Sequence, residues 1–184
     1  TALLSWLNVF FGLGAIAGPA VASFGIRAMD QPMLPFWLGA GVLSVALLPL
    51  ARLARTQPLP ETELSQGGGS VYGSPLVWML GGLLLVYVGV EVSLGGWIPE
   101  YMTATAQLVP ENAALVASGY WLALTAGRML SALLGTRLGP LRLLGLSVAG
   151  SLGAGLLLMA TVGSVNGTVA ALLLLGLMSG PVFP

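Results

Sequence analysis

The chain has 184 residues, of which 57% are hydrophobic and only 7% are charged, and its formal net charge is zero. Soluble globular domains carry about 25% charged residues, so a water-exposed surface is excluded for most of this chain, and the zero net charge excludes a basic nucleic-acid footprint. Cys and His are absent, which excludes disulfides, the usual zinc sites and a Ser-His-Asp triad.

Six apolar segments follow one another along the chain. Most are roughly 20 residues, or about 30 Å as a helix, which matches the hydrocarbon core of a bilayer. Backbone polar groups in lipid must be satisfied within their own segment, so we expect helices. The sequence predicts an all-α membrane protein with six transmembrane helices, at Leu3–Phe24, Leu34–Leu53, Leu76–Trp97, Ala113–Leu134, Leu141–Val162 and Thr168–Phe183.

The connections between these segments differ in character. Gly25–Met33 is predicted to be a tight loop, and Met102–Asn112 a loop of medium length. Arg55–Ser74 is polar, contains two prolines and the glycine run Gly67–Gly69, and is typical of a flexible linker. It is therefore the candidate boundary between two parts of the protein.

The arginines indicate an orientation in the membrane. Arg52 and Arg55 follow the second segment, and Arg137 and Arg142 lie between the fourth and fifth. Six alternating helices put these two loops on the same side, which the positive-inside rule makes cytoplasmic. Arg27 lies on the opposite side, so the first helix runs outward.

Two small-residue motifs end in proline. The first segment contains Gly14, Gly18 and Pro19, and the last contains Gly176, Gly180 and Pro181 at the same spacing. Glycines four apart let helices approach closely, and a following proline disturbs the helix. Close packing is the favoured interpretation, and a bend that changes during a functional cycle is the alternative.

The fourth segment carries a stripe of larger polar and aromatic residues. Ser118, Trp121, Thr125 and Arg128 follow at spacings of three and four, which places them on one helical face. For Arg128 we favour anchoring of the cytoplasmic end over a substrate or gating contact. Trp121 fits either an interfacial belt or a cavity wall.

Glu91 is an acid in the middle of the third segment, one turn after Tyr87. Charged residues at a helix centre cost about 2.5–3.5 kcal/mol on insertion scales, so they usually serve a pathway or a partner. Three roles remain open: binding of solute hydroxyls, carriage of a coupling proton, and pairing with a cation on another helix. Asn8 is a lone amide in the first segment, where an interhelical hydrogen bond is favoured over contact with a solute.

Four passages resemble the major facilitator superfamily of transporters, in particular its fucose-permease and sodium-glucose-transporter-like branch. Leu7–Pro19 (LNVFFGLGAIAGP) is similar to the fifth helix, and Tyr87–Tyr101 (YVGVEVSLGGWIPEY) to the seventh. Ser118–Arg128 (SGYWLALTAGR) is similar to the eighth helix, and Gly176–Pro184 (GLMSGPVFP) to the tenth. The stretch from Gly127 to Arg142 resembles a degenerate copy of the superfamily's cytoplasmic helix–loop motif.

This resemblance implies that the six helices are the fifth to tenth of a twelve-helix major facilitator fold. Residues 1–54 would then hold the last two helices of the N-terminal half, 55–75 the cytoplasmic linker, and 76–184 the first four helices of the C-terminal half. The chain begins at Thr1 without Met and ends at Pro184 after an apolar segment, so we expect a piece of a longer protein. The remaining helices are expected partners.

The resemblance also implies a function and a site. The family moves solutes by rocking two halves around one central site, so we expect a secondary active transporter of a small polar solute, with a sugar as the expected class. Proton or sodium coupling is expected, in a multi-pass protein of the cell membrane, with the bacterial inner membrane as the expected location. The residues expected near the solute are Tyr87, Glu91, Trp121, Thr125 and Met178, with Asn8 beside them.

Two further functional classes stay open. One is efflux of a drug-like compound or metabolite within the same superfamily, which the Gly-x-x-x-Gly-Pro motif of the first segment also suits. The other is a receptor or scaffold that uses the same fold without transport. An enzyme is the least expected, because no nucleophile, base and metal ligands converge. We expect neither a metal site nor an organic cofactor, and the expected partners are lipid and a small solute rather than nucleic acid.

Overall fold

The computed structural model describes the backbone of residues 2–56 and 73–182, and the side chains of 10–49, 51–52 and most of 73–182. This part of the chain is helical and contains no strand. The linker prediction falls mainly on residues 57–72, which lie outside the described residues. The helices are α1 (Ala2–Met29), α2 (Leu34–Thr56), α3 (Pro75–Ala106), α4 (Pro110–Leu138), α5 (Pro140–Ala160) and α6 (Val165–Ser179), followed by a 3-10 turn at Gly180–Val182.

Local sequence explains where the later helices begin and end. Pro110 and Pro140 are the first residues of α4 and α5, and proline is favoured there because its missing N–H would have no intrahelical partner. Ser164 caps α6 by accepting a hydrogen bond from the Gly167 backbone N–H at 3.3 Å. The Thr161 N–H donates to the Leu157 carbonyl oxygen at 3.0 Å and closes α5.

Two predicted loops are shorter in the structure. The predicted loop Gly25–Met33 is helical through Met29, because α1 continues past Arg27. The predicted loop Met102–Asn112 shrinks to Gln107–Val109, because α3 continues through Pro99 and ends only at Ala106. An internal proline removes one backbone hydrogen bond, and here the helix on either side of Pro99 is long enough to continue.

In the described part of the chain, four helices are long and apolar enough to cross a membrane, over Phe10–Met29, Pro75–Ala106, Leu141–Ala160 and Val165–Val182. They are compatible with a multi-pass membrane protein. In α2 the apolar stretch is shorter, at Leu34–Pro49, and α4 carries the polar stripe that includes Arg128. Length and composition therefore support four of the six predicted spanning helices. Membrane crossing by α2 and α4 stays a prediction.

The chain forms two compact units. The first unit comprises Thr1–Pro35 and Ser93–Pro184, and the second comprises Phe36–Val92. The boundary falls inside α3, so this helix contributes residues to both units. The predicted division into two transporter halves stays a prediction.

The core of the first unit lies around α4. Its buried members come from the end of α3, from α4 and from α6: Ile98, Met102, Ala106, Ala113, Ala117, Tyr120, Trp121, Leu124 and Leu172. The helix α4 contacts α1, α5 and α6, and it is therefore the central helix of this unit.

The contact between α4 and α6 depends on glycines. A Cβ at Gly176 would lie 2.6 Å from the Tyr120 carbonyl oxygen, and one at Gly180 would lie 2.6 Å from the Arg128 backbone nitrogen. Both distances are shorter than real Cβ atoms tolerate, so the two backbones touch directly. Close backbone approach of this kind is the usual reason for small residues at helix contacts in membranes.

Gly176→Ala should therefore destabilise the first unit, because the added methyl group meets the α4 backbone rather than a side chain that can move. We expect a loss of about 1–3 kcal/mol, the usual cost of overpacking, seen as a lower melting temperature of the full-length protein in detergent. Gly153→Ala in α5 is the matched control, since its Cβ would meet nothing within 4 Å. Equal melting temperatures for the two variants would contradict the close α4–α6 contact.

Candidate functional site

One face of α4 lies against α1. The Ser118 hydroxyl donates to the Ile16 carbonyl oxygen at 2.9 Å. Two turns further along α4, the Thr125 side chain lies beside Gly12 of α1. A Cβ added at Gly12 would be 2.8 Å from Thr125 Oγ1. Two members of the predicted polar stripe, Ser118 and Thr125, are thus in contact with α1.

Trp121 is enclosed by residues of three helices. Its ring meets Phe11 edge-on with centroids 6.0 Å apart, and Tyr120 edge-on at 5.6 Å. Gly95 of α3 lies directly against the indole, closer than any side chain would permit. Trp121 is only 9% exposed, so most of its ring surface is already covered by protein.

Of the other predicted solute-contacting residues of the first unit, Thr125 lies beside Trp121 and Met178 lies at a different helix contact. The sulfur of Met178 packs against Gly150 of α5, where a Cβ would be 2.5 Å away. Thr125 donates its hydroxyl proton to the Trp121 carbonyl oxygen at 2.8 Å. The structure therefore brings Trp121 and Thr125 together on the α1 side of α4 and places Met178 at the contact between α5 and α6.

The small-residue motifs of α1 and α6 differ in the structure. A Cβ at Gly14 or Gly18 would meet nothing within 4 Å, and α1 continues as a helix through Pro19. In α6, Gly180 touches α4, and Pro181 lies in the 3-10 turn that follows the helix. Close packing at the motif is thus present in α6, while the described residues bring no neighbour within 4 Å of those two positions in α1.

Arg128 is half-buried on α4, near the 3-10 turn after α6. Its carbonyl oxygen accepts a hydrogen bond from the Ser131 hydroxyl at 2.7 Å. Anchoring and gating both stay open for its guanidinium group. Asn8 lies in α1, and its side chain lies outside the described residues.

Glu91 and Tyr87 belong to the second unit. Glu91 is 5% exposed, whereas its neighbours Val90 and Val92 are 54% and 52% exposed. Among the described residues of this unit, Glu91 alone is buried. Tyr87, one turn earlier on the same helical face, is half-buried. The carboxylate is thus enclosed while the apolar side chains around it point outward, the reverse of a water-soluble helix.

Sequence reasoning missed three positions that shape this region: Gly12, Gly95 and Gly150. Their role depends on which helix lies opposite, and glycine is so frequent here, with 27 in the chain, that its presence alone gives no signal. It also missed the hydrogen bond between Arg27 and Asn112, which are 85 residues apart. Within the described residues, no group of three or more acidic, His or Cys side chains is arranged to hold a metal.

No family model, curated protein or solved structure is found to match this chain. The proposed function therefore rests on this chain's own residues and on the resemblance that its sequence suggests.

Gly95→Ala should displace Trp121, because the new methyl group would overlap the indole. We expect a loss of about 1–3 kcal/mol in stability, the range for overpacked cores. The neighbouring Gly96→Ala is the control, since a Cβ there would meet nothing within 4 Å.

Adding Trp121→Phe to Gly95→Ala should restore part of the lost stability, because the smaller ring leaves room for the methyl group. The measurement is the melting temperature of the wild type, Gly95→Ala, Gly96→Ala and the double variant. Equal melting temperatures for Gly95→Ala and Gly96→Ala would show that Gly95 does not pack against Trp121.

Proposed function

We propose that this chain is part of a secondary active transporter that moves a small polar solute across a membrane by alternating access. The observation that carries the proposal is Glu91, an acid that is 5% exposed between outward-facing valines in a helix long enough to span a bilayer. An enclosed carboxylate in such a helix is costly, and it is usually kept for a solute or ion pathway.

The helix contacts agree with the resemblance to the major facilitator superfamily. That resemblance makes α1 and α4 the fifth and eighth helices, which lie beside the central cavity in the family. In this structure α1 and α4 are in extended contact, with Gly12 against Thr125 and Phe11 against Trp121. The contact supports, within the proposal, a twelve-helix fold of which this chain supplies the fifth to tenth helices.

The proposed solute class is a sugar, and the proposed coupling ion is a proton or sodium. This part of the proposal depends on the resemblance to the fucose-permease branch. Of the residues implied near the solute, Glu91 is buried and Tyr87 is half-buried, while Trp121 is largely covered by Gly95 and Phe11. We therefore assign Glu91 the principal contact with solute or ion. The proposed location is the cell membrane, with the bacterial inner membrane as the expected one.

Uptake of labelled hexoses into proteoliposomes tests the proposal directly. The full-length protein should take up at least one hexose, and an inward gradient of protons or of sodium should increase the uptake. Absence of uptake for every hexose under both gradients would contradict the sugar assignment. Resistance to toxic compounds in a sensitive host would then favour an exporter of the same superfamily.

In the same assay, Glu91→Gln should lower uptake at least tenfold, because the amide keeps the shape of the side chain and loses its charge. The amount of protein in the membrane should not change. Glu100→Gln is the matched control, since Glu100 lies on the same helix and is exposed. If Glu91→Gln takes up hexose at the wild-type rate, the proposed role of Glu91 in transport is contradicted.

A further inference from the structure

An exposed hydrogen bond joins α1 and α4 at one end of the pair. The Arg27 guanidinium donates to Asn112 Oδ1 at 2.7 Å, from the last turn of α1 to the first turn of α4. A charged donor makes this bond stronger than a neutral one, but competition with water keeps the net gain of an exposed pair small. Such a bond can bias two states of similar energy and can still break readily.

The middle of the same helix pair is joined through backbone atoms. The Ser118 hydroxyl reaches the Ile16 carbonyl oxygen at 2.9 Å, and Gly12 allows Thr125 to lie against the α1 backbone. The close approach at Gly12 and Thr125 is lost only when the two helices separate, whereas the long Arg27 side chain can release its bond by rotating. Gly12 and Arg27 are 15 residues apart, about 22 Å along a helix, so a small tilt at the centre becomes a large movement at the end.

We propose that Arg27 and Asn112 form a releasable clasp that closes one end of the α1–α4 pair. The central contact of Gly12 with Thr125 is the pivot about which this end opens and closes. The proposal rests on the proposed function, since alternating access requires a contact that one state makes and the other breaks. The arginine-based orientation puts the clasp on the extracytoplasmic side, so its release opens the pathway to that side.

Ser23 offers a reporter for the opening of this end. It is buried, with 3% exposure, and lies one turn before Arg27 on the same face of α1. Ser23→Cys changes one atom, and these 184 residues contain no other cysteine. Any cysteine elsewhere in the full-length protein would be replaced by serine. The rate of alkylation by a water-soluble maleimide, measured in nanodiscs where both faces meet water, then reports how often the clasp is open.

Arg27→Ala should speed the alkylation of Ser23→Cys by roughly three- to tenfold, the range expected when an exposed charge-assisted hydrogen bond is lost. Asn112→Asp should slow it, because the amide acceptor becomes a carboxylate. Combined with Arg27→Ala, Asn112→Asp should lose its protective effect, since its partner is gone. Arg142→Ala is the matched control: it removes an exposed arginine from α5 and should leave the rate unchanged.

The clasp is overturned if Arg27→Ala and Asn112→Asp both leave the alkylation rate unchanged, or if Arg142→Ala shifts it as much as Arg27→Ala. Should Arg27→Ala fail to fold, Asn112→Asp still decides, because it keeps the side-chain size. The assay uses no solute, so its outcome is separate from transport. Sugar uptake with unchanged alkylation rates would support the transporter proposal and contradict the clasp. Altered alkylation rates without sugar uptake would support the clasp and contradict the transport of sugar.

Discussion

The first unit depends on the direct approach of neighbouring helices to α4. Gly176 and Gly180 bring α6 onto one side of α4, and Gly12 brings α1 onto another. Lipid is as apolar as leucine, so helices in a membrane gain little from burying apolar surface and associate through close packing and hydrogen bonds. The hydrogen bond from Ser118 to the α1 backbone belongs to the same contact. Both kinds of interaction therefore fix the position of α4, and with it Trp121 and Thr125.

The second unit has a different character, which bears most directly on function. Its described apolar side chains are largely exposed, and among its described residues Glu91 alone is buried. In water this arrangement would be unstable, because apolar surface would be left exposed while a charge was taken out of solvent. In a bilayer the outward valines would meet lipid. An enclosed acid is costly there, and such acids usually belong to a solute or ion pathway.

The sequence predicts the helices well and their partners poorly. Each of the six apolar segments corresponds to one helix, because segment length and apolar content are local properties; the fifth segment overran the end of α5 by two residues, since α5 ends at Ala160. Loop lengths were overestimated where α1 continued past Arg27 and α3 continued through Pro99, since sequence does not reveal whether neighbouring contacts will support an extra turn. Gly14 and Gly180 occupy similar motifs, yet only Gly180 meets another helix. The identity of the opposing helix decides this, and no local pattern contains it.

The central proposal is that Glu91, which is buried in this structure, meets water during the transport cycle while Val90 and Val92 stay against lipid. Cysteine accessibility in the full-length protein tests it, with Glu91→Cys, Val90→Cys and Val92→Cys each exposed to a charged, membrane-impermeant thiol reagent. We predict that Glu91→Cys reacts at least tenfold faster than either valine variant, because a thiolate forms only where water reaches it. Faster or equal reaction at the valine positions would contradict the claim, and so would an unreactive Glu91→Cys.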